Sequence, residues 1–104
     1  MTSTSEIQQQ ALEYLREVID PEIGLNIVDL GLVYEIKLYQ PGNTIQVTMT
    51  LTTQFCPMGA SIVGGVEDTL RINLHDYSVK VNVVFDPRWN ATMISEAGKK
   101  FLDD

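Results

Sequence analysis

Apolar and polar residues alternate most regularly over residues 45–52. This period of two predicts a β-strand that buries one face and leaves the other in water. Residues 32–39 alternate in the same way before a turn at residues 40–43, so the two strands are predicted to form an antiparallel hairpin. A third strand is predicted at residues 79–85. The side chains predicted on the solvated face of the sheet are Glu35, Lys37, Thr48, Thr50, Lys80 and Asn82.

Three segments place apolar residues at the spacing of three and four positions that is typical of a helix. The first helix is predicted to begin after an N-cap at Ser5 and to end near Ile19, because the residue before the next proline is pushed out of the helical region. The second is predicted to begin at Pro57 with Cys56 as its N-cap, because proline favours the first helical position. The third is predicted to follow an N-cap at Asn90.

The predicted order of elements is helix, strand, strand, helix, strand, helix. This order favours an α/β (α+β) two-layer sandwich, in which helices cover one face of a three-stranded mixed sheet. A chain of 104 residues is expected to form one domain, residues 1–104, with residues 1–5 frayed. The three glycines of the second helix each cost about 1 kcal/mol relative to alanine, which predicts close backbone approach to the sheet or to a partner.

Composition narrows the classes of function. The net charge of −7 argues against nucleic acids and anionic membranes as partners, because both attract lysine and arginine. The polar N-terminal residues indicate no signal peptide, and no segment reaches the roughly 20 apolar residues of a membrane span. A single cysteine cannot form an internal disulfide, which fits a cytoplasmic location.

Cys56 stands at the predicted junction of the second strand and the second helix. A thiol at a helix N-terminus ionises below its free pKa of roughly 8.5, and the thiolate binds metals. The alternative is a small buried hydrophobic residue. One cysteine and one histidine cannot enclose a structural zinc ion. A two-fold dimer would instead bring two Cys56 thiolates to iron or a [2Fe–2S] cluster, with oxygen ligands or an external thiol completing the shell.

Four polar residues are predicted to gather near the cysteine: Asp20, Asp29, Thr52 and Thr53. Thr52 ends the second strand, and Asp29 lies just before the first strand, at the same end of the hairpin. For both aspartates the alternative is structural, with the carboxylate accepting nearby backbone N–H groups in an Asx turn. Trp89 also has two interpretations, a hydrophobic staple at the start of the last helix or an anchor that binds a partner.

Several motifs occur together in a specific order and spacing. They are Asp20-Pro21-Glu22, Asn26-Ile27-Val28-Asp29-Leu30-Gly31-Leu32-Val33-Tyr34, Thr50-Leu51-Thr52 followed by Cys56-Pro57, and Asp86-Pro87-Arg88-Trp89 with Ser95-Glu96-Ala97-Gly98. In this combination the chain resembles the metal–sulfur cluster biosynthesis family that includes SufT, PaaD and the cytosolic iron–sulfur assembly targeting factor. Two departures are visible: Arg88 stands where the family often has proline, and Phe55 makes the approach to Cys56 bulkier.

The resemblance implies a fold related to the C-terminal scaffold domain of NifU-type proteins. It implies an accessory factor in iron–sulfur protein maturation, not an enzyme, that transiently binds iron or a cluster through Cys56. Asp20, Asp29 and Thr52 would form the polar surround of that site. The expected partners are the iron–sulfur assembly machinery, apo iron–sulfur proteins and a second copy of the chain.

Two alternative functions are open at this point. One is a metal-free adaptor that docks apo-proteins to the assembly machinery, with Trp89 and the glycine-containing helix as contact surfaces. The other is a thiol enzyme with Cys56 as nucleophile or redox residue, although no base stands at a recognisable spacing.

Overall fold

A three-stranded sheet and the helices packed against it make up most of the fold. The computed structural model describes residues 4–39, 42–53 and 57–103. Its elements are α1 (Thr4–Leu15), α2 (Ile27–Leu30), β1 (Val33–Tyr39), β2 (Thr44–Met49), α3 (Gly59–Asn73), β3 (Ser78–Val83), a 3₁₀ helix (Ala91–Met93) and α4 (Glu96–Asp103). The predicted two-layer α+β architecture is confirmed, with α2 and the 3₁₀ helix as additions. Within these ranges no helix is long and apolar enough to cross a membrane.

β2 is the central strand of the sheet. β1 pairs with it antiparallel and β3 pairs with it parallel. Val47 of β2 lies opposite Ile36 of β1 and Val81 of β3. The predicted hairpin is therefore confirmed, with one irregularity in the register of β1 between Val33 and Glu35. Because a parallel pair needs a crossover connection, α3 lies between β2 and β3 in the chain.

The core lies between the sheet and helices α1 and α3. β2 directs Ile45, Val47 and Met49 into the core, and all three are fully buried, as the alternation predicts. α1 packs against β1 and α3, and α3 packs against β3, so the two helices cover one face of the sheet. Each helix contributes one apolar stripe to the core. The buried residues of these stripes are Ile7, Ala11 and Leu15 in α1 and Ile62, Val66 and Leu70 in α3.

The opposite face of the sheet is mostly polar and departs from the prediction at two positions. Four of the six predicted residues are exposed: Glu35, Lys37, Lys80 and Asn82. Thr48 is half-buried. Thr50, predicted on the same face, is fully buried instead. β2 ends at Met49, and the Thr50 N–H then donates to the Leu32 carbonyl at 2.8 Å. The alternation stops there, so that Met49, Thr50 and Leu51 are buried in succession.

Helix α1 differs from the prediction at both ends. It begins at Thr4, so Ser5 is a helical residue and not the N-cap, and it ends at Leu15 instead of near Ile19. The chain tightens after Leu15 because the N–H groups of residues 16–18 donate to carbonyls three residues back. Ile19 then pairs with Asn26 in an isolated β-bridge, which cannot form in a continued helix.

Helix α3 begins later than predicted. Its first residue is Gly59 and its N-cap is Met58, with Pro57 in the preceding turn. The N-cap is therefore Met58 and not Cys56, which itself lies outside the described residues. A Cβ atom at position 59 would lie 2.8 Å from Leu51 Cδ1. Glycine here allows the first turn of α3 to approach the chain that leaves β2.

Close approach explains two of the three glycines of α3. Besides Gly59, a Cβ atom at Gly65 would lie 3.3 Å from Val18 Cγ1, where the chain after α1 packs on α3. The helix is predicted to approach the sheet or a partner; the close approaches found are instead to Leu51, just after β2, and to Val18, just after α1. Gly64 has no neighbour within 4 Å of its Cβ direction in the described structure, and nothing there explains it.

The C-terminal segment contains two capped turns. Asn90 is an N-cap, and its Oδ1 accepts the N–H two residues on at 2.9 Å, but the element that it caps is the 3₁₀ helix. α4 begins only after Ser95, whose Oγ accepts the Gly98 N–H at 3.0 Å in the manner of an N-cap. The staple predicted for Trp89 does not apply, because no α-helix starts directly after Asn90.

Candidate functional site

The predicted site lies at the edge of the sheet where β2 ends. The chain passes from core to surface within four residues: Thr50 is fully buried, Leu51 is 8% exposed, Thr52 is half-buried and Thr53 is exposed. Leu51 packs against the first turn of α3, so the two ends of segment 52–58 are held together. Cys56 belongs to this segment but lies outside the described residues, and its role as a ligand stays a prediction.

Asp20 orders a tight loop after α1. The residue is 1% exposed, and its Oδ1 accepts the Glu22 N–H at 2.9 Å. Its backbone carbonyl accepts the Gly24 N–H at 2.7 Å, and its own N–H donates to the Leu25 carbonyl at 3.0 Å. The Asx turn weighed as the structural alternative is therefore present.

The Asp20 loop borders the start of α3. Pro21, the residue after Asp20, lines the same cleft as Met58. Met58 follows Cys56 by two positions in the sequence. Because Cys56 lies outside the described residues, the convergence of Asp20 with the cysteine stays a prediction.

Asp29 joins three segments of the chain through its carboxylate. Oδ1 accepts from Arg16 Nη1 and from Ser95 Oγ, each at 2.9 Å, and Oδ2 accepts from Asn26 Nδ2 at 2.8 Å. The backbone carbonyl of Asp29 also accepts the Ser95 N–H at 2.7 Å. The side chain is only 16% exposed. The Asx-turn alternative required backbone donors to the carboxylate, whereas the donors found are side chains.

These donors keep the Asp29 carboxylate ionised. The hydrogen bond from Asn26 is the main cause that lowers the pKa of Asp29 below its ordinary 3.8, while partial burial opposes it and the bonds from Ser95 and Arg16 reinforce it. The hydrogen bond with Asp29 likewise raises the pKa of Arg16. The carboxylate therefore fixes α2 to the end of α1 and to α4. Its part in the polar surround of Cys56 stays a prediction.

Trp89 attaches the C-terminal segment to α2. Its Nε1 donates to the Leu30 carbonyl at 2.7 Å, and the ring is half-buried against the core. In the same segment the Pro87 carbonyl accepts from Tyr34 Oη at 2.7 Å. Trp89 thus has a structural role that differs from the predicted staple, and its role as a partner-binding anchor stays a prediction.

Replacing Trp89 with phenylalanine is expected to lower the free energy of unfolding by about 1 kcal/mol, because the Leu30 carbonyl loses its donor while an aromatic ring is kept. Tyr34→Phe is the matched control and is expected to cost roughly 0.5 kcal/mol, since water can replace the donor to the more exposed Pro87 carbonyl. Urea unfolding followed by circular dichroism measures the stability of both variants. Tryptophan fluorescence cannot be used, because Trp89→Phe removes the only tryptophan of the chain. Equal unfolding midpoints for Trp89→Phe and wild type would contradict this role.

The described residues contain no preformed metal cage. Across residues 4–39, 42–53 and 57–103, no three His, Cys, Asp or Glu side chains gather closely enough to hold a metal ion. His75, the single histidine, lies 3.5 Å from Asp76 in an exposed turn after α3.

Three members of the Asp29 network were not among the predicted site residues: Arg16, Asn26 and Ser95. One local signal exists, because Asn26 and Asp29 have the spacing of a capping box and Asn26 Oδ1 accepts the Asp29 N–H at 2.9 Å. Arg16 and Ser95 stand 13 and 66 positions from Asp29, so no local pattern indicates their contacts.

A family model described as iron–sulfur cluster assembly protein matches residues 8–83, well over half of the chain. This chain belongs to that family. The resemblance drawn from the motifs is confirmed, and Asp20, Asp29, Thr52 and Cys56 all lie inside the match. The segment that contains Trp89 lies beyond it.

Relatives in the family are similar over most of their length. The chain is 42% identical over 82 residues to the Fe-S protein maturation auxiliary factor SufT of Staphylococcus aureus, which covers 79% of this chain and 92% of that protein. It is 34% identical over 93 residues to the Fe-S protein maturation auxiliary factor YitW of Bacillus subtilis, covering 89% and 90%. A solved structure of a domain of unknown function from Bacillus anthracis has a TM-score of 0.91 at 36% identity and covers 96% of this chain and 94% of that chain, which confirms the fold.

Proposed function

We propose that this chain is an accessory factor in the maturation of iron–sulfur proteins that transiently binds iron or a cluster through Cys56. The observation that carries the proposal is the similarity to two maturation auxiliary factors, at 42% and 34% identity over most of the chain. We propose a non-catalytic role in the cytoplasm, with the iron–sulfur assembly machinery and apo iron–sulfur proteins as partners.

The geometry of the sheet edge supports binding at the cysteine segment. The chain leaves the core at Leu51 and re-enters it at Gly59, and these two residues pack against each other. The two ends of segment 52–58, which contains Cys56, are therefore held close to each other. The half-buried Thr52 lies on this edge, and the Asp20 loop borders it.

Iron or a cluster bound through Cys56 needs more ligands than one thiolate supplies. Clusters are usually held by four protein ligands, so Cys56 of a second copy, an external thiol or oxygen ligands would complete the shell. Thr52 is a stronger candidate for the polar surround than either aspartate, because three side-chain donors already occupy the Asp29 carboxylate and Asp20 is only 1% exposed.

The test is anaerobic incubation of wild type and Cys56→Ser with iron and sulfide, followed by gel filtration with iron and sulfide analysis. We expect iron and sulfide to elute with wild type as a dimer and to be absent from Cys56→Ser. Because the chain has one cysteine, this variant removes every thiol. The double variant Cys56→Ser/Ser78→Cys restores a thiol at the exposed start of β3, at the opposite end of the strands, and is expected to remain free of iron.

Each result separates the candidate functions. Equal iron in all three proteins would overturn Cys56 as the ligand. Iron-free wild type that still captures purified assembly proteins, with Cys56→Ser doing so equally well, would favour the metal-free adaptor.

A further inference from the structure

A cleft separates the chain that follows α1 from the outer side of α3. It is lined by Glu17, Ile19, Pro21, Met58, Ser61 and Gly65, among others. Ser61, Gly65 and Thr69 are small residues on its α3 side, and Gly65 allows Val18 to lie close to the helix. The cleft is therefore an open groove between two backbone segments that are fixed to each other.

Apolar side chains at the mouth of this cleft are exposed. Ile19 is 49% exposed and Met58 is 36% exposed, and Pro21 between them in the groove is exposed as well. Exposed apolar side chains beside a polar groove offer contact area to a partner segment that is itself partly apolar and partly polar. Methionine adapts its shape readily to different partners, which suits Met58 to such a surface.

The charge around the cleft is negative. Glu17 lines it, and Glu22 follows Pro21 in the bordering loop. Neither carboxylate forms an ion pair with any residue that the structure describes. Arg16, the adjacent cation, is engaged with Glu13 at 3.3 Å and with Asp29 at 2.9 Å. No lysine or arginine of the described ranges lines the cleft.

We propose that this cleft binds a partner-protein segment in which apolar side chains are interspersed with lysine or arginine. The apolar side chains would lie on Ile19, Pro21 and Met58, and a cation would lie beside Glu17. The proposal rests on the proposed function in one respect. Met58 follows Cys56 by two positions, so a partner segment bound here would lie near the residues proposed to bind iron or a cluster. It deepens that function by assigning the chemistry of the partner.

The probe is a synthetic peptide of alternating leucine and lysine, and the counter-probe is its leucine–glutamate analogue. Titration into the isotope-labelled full chain without metal is followed by amide chemical shifts. We expect the leucine–lysine peptide to shift the amides of Ile19, Ser61 and Gly65. Glu17→Lys is expected to raise its Kd roughly tenfold, because reversing a charge beside the ligand changes the attraction to repulsion.

Matched variants separate specific docking from general attraction. Asp76→Lys makes the same charge change in an exposed turn away from the cleft, and Ile72→Ser matches Ile19→Ser at an exposed α3 residue that does not line it. We expect Glu17→Lys and Ile19→Ser to weaken binding, and Asp76→Lys and Ile72→Ser to leave it unchanged. Amide spectra of the free variants verify that each one is folded.

Three results of the peptide titrations would overturn the proposal: no shifts at the cleft, equal binding of the leucine–glutamate peptide, or equal weakening by Asp76→Lys. Shifts at the same amides that grow with protein concentration alone would assign the cleft to a second copy and would also overturn it. Peptide binding is expected to be the same in wild type and Cys56→Ser. Failure at the cleft therefore leaves the iron result at Cys56 standing, and failure at Cys56 leaves the cleft result standing.

Discussion

Replacing Gly31 with alanine is expected to lower the free energy of unfolding by about 3 kcal/mol, the sum of a backbone cost and a steric cost. Gly31 has a φ of 86° and ends α2 by donating its N–H to the Ile27 and Val28 carbonyls. An L-residue pays roughly 1–2 kcal/mol for this left-handed conformation. A Cβ atom there would also overlap the Met93 carbonyl oxygen and lie 2.9 Å from the Met93 carbonyl carbon.

Gly24→Ala measures the backbone cost alone, so the difference between the two variants gives the steric cost at Gly31. Gly24 has a similar φ of 82°, but no atom of the residues that the structure describes lies within 4 Å of its Cβ direction, so only the backbone cost of roughly 1–2 kcal/mol is expected. Urea unfolding followed by circular dichroism compares the two variants with wild type. If Gly31→Ala and Gly24→Ala lost equal stability, the close contact between α2 and the backbone of the 3₁₀ helix would be refuted.

Replacing Asp29 with asparagine is expected to lower the free energy of unfolding by about 2 kcal/mol at neutral pH. The three side-chain hydrogen bonds to Asp29 would no longer be strengthened by the negative charge of a carboxylate. The amide nitrogen of the new side chain would also face a donor, either Asn26 Nδ2 or the pair Arg16 and Ser95. Glu13→Gln is the control, because Glu13 shares Arg16 but its side chain is 71% exposed. That exposed ion pair is expected to contribute only about 0–1 kcal/mol.

The difference in the free energy of unfolding between wild type and Asp29→Asn is expected to depend on pH. The pKa of Asp29 is lowered in the folded state, first by the hydrogen bond from Asn26, so its ionised form stabilises the fold above the unfolded-state value near 3.8. That contribution is lost as the pH falls from about 3.8 through the lower folded-state pKa. Urea unfolding at neutral pH and below pH 4 should show a stability difference between the two proteins that becomes smaller in acid. A stability difference that stayed constant with pH would argue against the ionised Asp29 carboxylate as its source.

The strands are predictable because their pattern is local and one face is covered. Ile45, Val47 and Met49 lie beneath two helices, so a polar residue at any of these positions would be costly, and the alternation is strict. The pattern fails at Thr50, where the strand has ended and the chain turns inward. A period of two indicates that a strand exists more reliably than it indicates where the strand stops.

The ends of the helices and the candidate site depend on contacts that no local pattern contains. Asn90 and Ser95 are both good N-caps, but α4 begins only after Ser95, which bonds Asp29 from 66 positions away. The Asx turn of Asp20 could be anticipated from residue type, whereas the donors to Asp29 could not, apart from Asn26. The ligand role of Cys56 is still a prediction from sequence, since that residue lies outside the described ranges.

The parallel pairing of β2 with β3 decides which connections can be engineered for recognition. Both strands release the chain at the same edge, where the Val84 N–H donates to the Met49 carbonyl at 2.8 Å. The site proposed around Cys56 lies at this edge, so loop grafts at residues 52–58 or 84–90 are expected to alter binding there. The turn at residues 74–77 lies at the other end of the strands and offers an attachment point for a dye or a solid support that leaves the recognition edge free.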